Sequence, residues 1–195
     1  MTKKLTLLLA AFTLSATAAD WANWRGPNHN GSTVAAGLPV KFSKTENIAW
    51  KVAMPGPSAA TPIILGDKVF VSSTDPKAKE LLALCLDRRT GKEIWRQVVG
   101  EGYQLDNRSN YASPSPATDG EVVTFFYGNG DLATFDLNGK KLWATKIQDE
   151  ENGFAFQWTF STSPLLHNDV LYLQELQRNT GVRGHGKANG NESYL

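Results

Sequence analysis

From Leu81 to Leu86 the chain is apolar without polar alternation, as in a strand covered on both faces. Asp87 follows, able to accept hydrogen bonds from the backbone N–H groups just ahead of it, and Gly91 supplies the positive φ that closes a short hairpin with a bulge. Ile94 and Trp95 then open the return strand. The unit recurs from Thr134 to Trp143, one residue shorter in the turn, and Trp50 ends a similar strand, Asn47–Ala53, without the upstream hairpin. A second pattern precedes each copy. Two short β-branched runs flank Gly66-Asp67, and the same arrangement returns at Ser115–Thr124 and Ser163–Tyr172. Pro62, Pro116 and Pro164 each open the innermost strand, where a missing N–H is tolerated. Every full unit therefore supplies four strands; for the second these are expected at about 115–118, 122–127, 131–136 and 141–147. A period of about 40–50 residues with several strands per unit is that of a propeller blade.

The Asp-to-Trp stretch resembles the tryptophan-docking repeat of the PQQ-type (quinoprotein-like) β-propellers, Ala-x-Asp-x-x-Thr-Gly-Lys-x-x-Trp. The first copy keeps Asp87, Thr90, Gly91, Lys92 and Trp95, with Cys85 in place of Ala; the second keeps Asp136, Gly139, Lys140 and Trp143, with Thr134 in place of Ala and no Thr in the turn. The resemblance implies an all-β chain of four-stranded antiparallel blades, in which the indoles of Trp95 and Trp143 each pack into the neighbouring blade. The implied order is a signal peptide (1–19), an N-terminal strap and strand (20–59), and blades at 60–99, 113–147 and 161–195. The third unit stops at Ser193-Tyr194-Leu195, where the family's next repeat strand opens. About two and a half blades are thus present, against the usual four to eight, so the chain is expected to be the N-terminal part of a longer one. The repeat specifies fold; it is weak for function.

Export changes the picture next. Lys3 and Lys4, the apolar run Leu5–Leu14 and the small residues Ala16–Ala19 form a secretory signal, too short to span a bilayer. No Cys stands directly after the cleavage site, which speaks against the lipoprotein route, and bacterial periplasm or the extracellular space is expected. Losing Lys3 and Lys4 takes the basic count from 20 to 18 against 19 acidic residues. So even a balance makes no electrostatic case for nucleic acid as a partner, and no integral membrane segment is expected after cleavage. The lone Cys85 cannot form an intramolecular disulfide and reads as a small buried hydrophobe. The 41% hydrophobic content, six Trp and 17 Gly suit a β-rich fold with many turns.

Candidate chemistry lies in the connections between blades. Trp21–Gly31 resembles the mature N-terminus of exported PQQ-like propellers of planctomycetes; it reads as a strap packing Trp21 and Trp24 onto the ring, or as a ligand loop carrying Arg25 and His29. Gly100–Tyr111 has the oxygen donors Asp106, Asn107 and Asn110 without calcium-loop spacing. In Gln148–Phe160 the aromatics Phe154, Phe156, Trp158 and Phe160 alternate like a strand, as core or as a stacking face. His185 lies among glycines without metal-ligand partners. Arg25, Arg108, Tyr111, Trp158 and His185 are the candidate rim-binding residues; no catalytic, cofactor or metal residue is assigned. The leading reading is a non-catalytic scaffold that binds protein or polysaccharide. The alternative, implied by the resemblance, is a PQQ- and calcium-dependent dehydrogenase, whose adjacent cysteines and carboxylate pair this sequence lacks.

Overall fold

The computed structural model describes residues 20–35, 37–150, 154, 159–177 and 189–194. The expected signal peptide, Trp158 and His185 lie outside them. The described chain is all-β apart from one helical turn. Its elements are β1 (Ile63–Leu65), β2 (Lys68–Asp75), β3 (Glu80–Asp87), β4 (Glu93–Glu101), β5 (Ala117–Thr118), β6 (Val122–Phe126), β7 (Asp131–Asp136), β8 (Lys141–Lys146), α1 (Ile147–Glu150), β9 (Leu165–His167), β10 (Val170–Gln177) and β11 (Asn189–Tyr194). They form antiparallel meanders β1-β2-β3-β4 and β5-β6-β7-β8 and a three-stranded sheet β9-β10-β11. This is a partial β-propeller.

Turn chemistry explains the meanders. The two-residue connections Gly66-Asp67 and Asn168-Asp169 carry positive φ at Gly66 (53°) and at both Asn168 (49°) and Asp169 (61°), as tight hairpins require. The strands β1, β5 and β9 begin one residue after Pro62, Pro116 and Pro164. In both complete sheets the ladder slips beside the repeat tryptophan. Cys85 pairs with Trp95 but Leu86 with Glu93, and Thr134 pairs with Trp143 but Phe135 with Lys141. The extra residues, Ile94 and Leu142, are left exposed. Such a bulge re-aims the side chain after it, and that side chain is the tryptophan.

The core lies between sheets. Ile63, Phe70, Leu81, Ala83, Cys85 and Trp95 of the first sheet meet Val123, Phe125, Tyr127, Ala133 and Phe135 of the second. The second sheet turns Phe126 and Leu132 toward Leu171 and Leu173, with Ile147 and Phe160. Cys85 is fully buried, and desolvation pushes its thiol up to about 12.

Two expectations need correction. Residues 47–53 are irregular and form no strand, because no described strand offers them a ladder. Trp24 does not pack onto the sheets. It is 55% exposed with the Arg25 guanidinium 5.5 Å from its ring centroid. The strap is held instead by main chain: Trp21 exchanges N–H···O bonds with Ile64 (2.8 and 2.9 Å), and Ala22 O accepts from Thr118 N (2.9 Å). Trp143 is 40% exposed, and the turn that would receive it is not among the described residues.

Candidate functional site

The repeat residues act at the seam between neighbouring units. Asp87 Oδ1 accepts from Arg89 N (3.1 Å), Thr90 N (2.7 Å) and Thr90 Oγ1 (2.6 Å), which fixes the turn. Asp136 does the same with Asn138 N and Lys140 N, both at 2.9 Å. The main-chain oxygens of Lys92 and Lys140 close the two hairpins by accepting from Asp87 N and Asp136 N. Each turn then receives a tryptophan from upstream. Trp50 Nε1 donates to Arg88 O (2.7 Å) and Trp95 Nε1 to Leu137 O (3.2 Å). Their rings lie flat on glycine: a Cβ on Gly91 would sit 2.5 Å from the Trp50 ring, and one on Gly139 2.8 Å from Trp95. Those glycines are therefore fixed twice over, by positive φ (71° and 88°) and by the indole above them.

A second tie was not foreseen. Thr61 N donates to Ser115 Oγ (2.8 Å), and Ser115 N donates to Ser163 Oγ (3.0 Å), so each residue before a strand-opening proline reaches the same position in the next blade. The signal is present in the sequence as Thr61-Pro62, Ser115-Pro116 and Ser163-Pro164, in the residue before each proline.

At the ends of β4 and β8 the connecting loops build a rigid rim. Leu105 bridges Asn110, making a small hairpin with Asn107 and Arg108 at its tip. Asp106 organises it. Its Oδ1 accepts from Arg108 N (2.8 Å) and Ser109 N (2.7 Å), and its Oδ2 accepts from Ser109 Oγ (3.0 Å), Thr159 N (3.1 Å) and Thr159 Oγ1 (2.9 Å). These donors, the Arg108 N–H foremost, hold the Asp106 carboxyl well below its usual range. The hairpin is thereby stapled to the following connection, and it presents Leu105 (58% exposed), Asn107 and Arg108 outward.

The other rim candidates part company. Tyr111 is half-buried against the core, its ring beside Gly102. Arg25 is exposed on the strap, which runs along the free edge of β1, away from the hairpin in sequence and in strand order. Phe154 and Phe160 stack at 4.7 Å and pack edge-on against Phe126, which makes these two core residues. Beneath the rim, Asp131 is buried with Asn129 Nδ2 donating to its Oδ2 (2.7 Å) and Lys146 Nζ 3.9 Å from Oδ1; burial raises its carboxyl. A Cβ on Gly100 would overlap that carboxylate, so the glycine makes room for it.

The sequence profile of the family described as "Outer membrane protein assembly factor BamB" matches residues 32–188. The chain belongs to this BamB family. Among solved structures it is similar to quinohemoprotein alcohol dehydrogenase from Comamonas testosteroni (17% identity, TM-score 0.54, 88% of this chain and 25% of that one). It is also similar to BamB from Moraxella catarrhalis (20%, 0.46, 67% and 34%) and to a europium-containing methanol dehydrogenase (20%, 0.43, 67% and 23%). No curated protein sequence matches. The chain thus spans between 23% and 34% of the length of these structures. The dehydrogenase likeness, at this identity, concerns the propeller fold alone.

A quinone cofactor and a calcium ion are what the sequence resemblance implies for the dehydrogenase alternative. Among the described residues of this BamB-family chain, no three His, Cys, Asp or Glu side chains gather as metal ligands. The single thiol is buried and protonated in the strand core. Among the described residues no helix is long and apolar enough to cross a membrane.

Proposed function

We propose that the chain supplies the blades of an exported, non-catalytic scaffold whose rim hairpin engages a protein partner in outer-membrane protein assembly. The observation that carries this reading is the hairpin itself. A loop that serves only to connect blades has no need of five hydrogen bonds to one carboxylate, nor of an exposed Leu105 beside Asn107 and Arg108. An apolar side chain next to an arginine on a rigid support is the composition of a protein-binding anchor. The family description supports the choice of partner, and the export signal supports the compartment. A protein partner is preferred to polysaccharide because Phe154 and Phe160 are used in the core.

The test is complementation. In cells lacking the gene, outer-membrane β-barrel proteins are expected to fall in abundance, and the intact gene to restore them. A Leu105→Asp, Arg108→Glu variant, folded by circular dichroism, is expected to fail. Full complementation by that folded variant removes the hairpin from the function. The alternative is a PQQ-dependent dehydrogenase. A calorimetric site for PQQ with calcium at about −8 kcal/mol or better, with dye-linked alcohol oxidation, would establish it and overturn the scaffold.

A further inference from the structure

The N-terminal strap holds one side-chain amide in an activated setting. Asn30 Oδ1 accepts from Ser32 N (2.9 Å) and from Ser32 Oγ (2.7 Å). The first of these bonds closes a ring that contains Cγ, Cβ, Cα and the carbonyl carbon of Asn30 together with the backbone N of Gly31. Those atoms are the ones a succinimide joins. The loop around them is held by further bonds: Asn28 Nδ2 donates to Ser32 O (3.2 Å), and Gly31 N donates to Arg25 O (2.8 Å). Gly31 has φ 80°, and nothing lies within 4 Å of where a Cβ on it would stand. No side chain therefore shields its nitrogen from the Asn30 amide.

The other Asn-Gly pairs of the described chain are held differently. Asn129 is buried, and its Nδ2 donates to Asp131 Oδ2 (2.7 Å) and to Glu101 O (3.2 Å), so the nitrogen that would have to leave is anchored. Asn138 lies in the turn beneath Trp95, whose ring is 2.8 Å from where a Gly139 Cβ would be. Among the described residues nothing donates to the Asn138 carboxamide. Asn189 and Gly190 are extended in the β10–β11 ladder, opposite Gln177 and Leu176. Asn129 Oδ1 receives a single donor, Asp131 N at 3.2 Å. Of the three pairs in turns, Asn30 is the one whose carboxamide oxygen receives two.

We propose that Asn30 is a site of spontaneous conversion to aspartate and isoaspartate, with the Ser32 N–H and O–H as its oxyanion donors. Gly31 N gives its proton to a solvent base, releasing Arg25 O, and its electron pair forms a bond to Asn30 Cγ. The Cγ–Oδ1 π pair moves onto Oδ1, where both Ser32 donors already point. Donors aimed in advance at developing charge lower the barrier without reorganisation. The pair then returns, the Cγ–Nδ2 bond breaks, and the amide leaves as ammonia with a proton from water. Water opens the resulting succinimide, at Cγ to give aspartate or at the main-chain carbonyl to give isoaspartate. Either product adds a carboxylate to the strap. Isoaspartate also adds a carbon to the backbone of the turn that Gly31 N and Arg25 O close. The Trp21–Ile64 bonds lie upstream of that turn, so the change falls on the segment that presents Trp24 and Arg25.

The experiment is peptide mapping by mass spectrometry of the purified protein during storage at mildly alkaline pH, with isoaspartyl methylation to mark the isomer. Asn30 is expected to convert at least about tenfold faster than Asn129 and Asn138. Ser32→Ala keeps the N–H donor and removes the hydroxyl. It is expected to slow Asn30 by about tenfold, less than one oxyanion donor supplies in a dry site, and to leave the other two rates unchanged. Ser32→Thr restores the hydroxyl and is expected to restore the rate. Ser32 is exposed, so both variants are expected to keep the fold. An Asn30 no faster than Asn138 overturns the proposal, as do a Ser32→Ala protein that converts at the parent rate and a Ser32→Thr protein as slow as Ser32→Ala.

Discussion

The two seams of this molecule use the same repeat residue to different ends. At the first, Trp95 is 9% exposed and sits within about 6 Å of three phenylalanine rings, Phe70, Phe125 and Phe135. At the second, Trp143 occupies the equivalent register but is 40% exposed above a cavity. The residues beside it differ as well, Thr124 and Thr134 replacing Phe70 and Cys85. The bulge aims both indoles, yet only the next blade's turn buries them. The repeat thus encodes half of each contact, and the other half lies one period downstream.

The largest expected effect breaks that comparison directly. Trp95→Ala empties a filled aromatic site and is expected to cost about 3–5 kcal/mol in denaturant midpoint analysis. Trp143→Ala is expected to cost about 1–2 kcal/mol, since much of its area already meets water. Equal costs would mean the second seam is filled as the first is.

Next in size is the threonine pair. The Thr124 and Thr134 hydroxyls are buried and 2.7 Å apart. Thr134→Val strands the Thr124 hydroxyl in the sheet and is expected to cost about 1–3 kcal/mol, whereas the double replacement by Val is expected to be near neutral. The same denaturant series checks it. A single variant as stable as its parent would show that water reaches these hydroxyls from the cavity, which would make the second seam wetter than drawn.

What the sequence revealed follows the same division. Strand positions in the second blade were legible nearly to the residue, because Asp87 and Asp136, the glycines after them and the strand-opening prolines are local turn chemistry. The exposure of Trp143, the missing ladder at residues 47–53 and the solvent-facing Trp24 were not legible, since each depends on a partner distant in sequence. In the sequence the rim hairpin shows only as oxygen donors without calcium-loop spacing. Its staple to Thr159 crosses from one inter-blade connection to the next, and no spacing rule announces such a contact. Arg108 was singled out but its neighbour Leu105 was not, because an isolated leucine in a polar stretch gives no periodic signal.

The smallest expected effect lies in acid titration, where the two buttressing carboxylates have opposite signs. Asp106 is held below its ordinary value of 3.8, chiefly by the Arg108 and Thr159 N–H groups. Its contribution is fully present above 3.8 and is lost as pH falls through the depressed folded value. Asp131 is raised above 3.8 by burial. Its contribution is present below 3.8 and is lost as pH rises through the folded value, where a desolvated charge must form. Asp106→Asn is therefore expected to flatten the fall in stability at the acid end, and Asp131→Asn to remove a decline on the alkaline side of 3.8. Melting temperatures across that range read both. A single slope shared by the parent and both variants would show that the rim staple and the buried carboxylate below it titrate as they do in the unfolded chain, and the rim would then lose its claim to be held in place by Asp106.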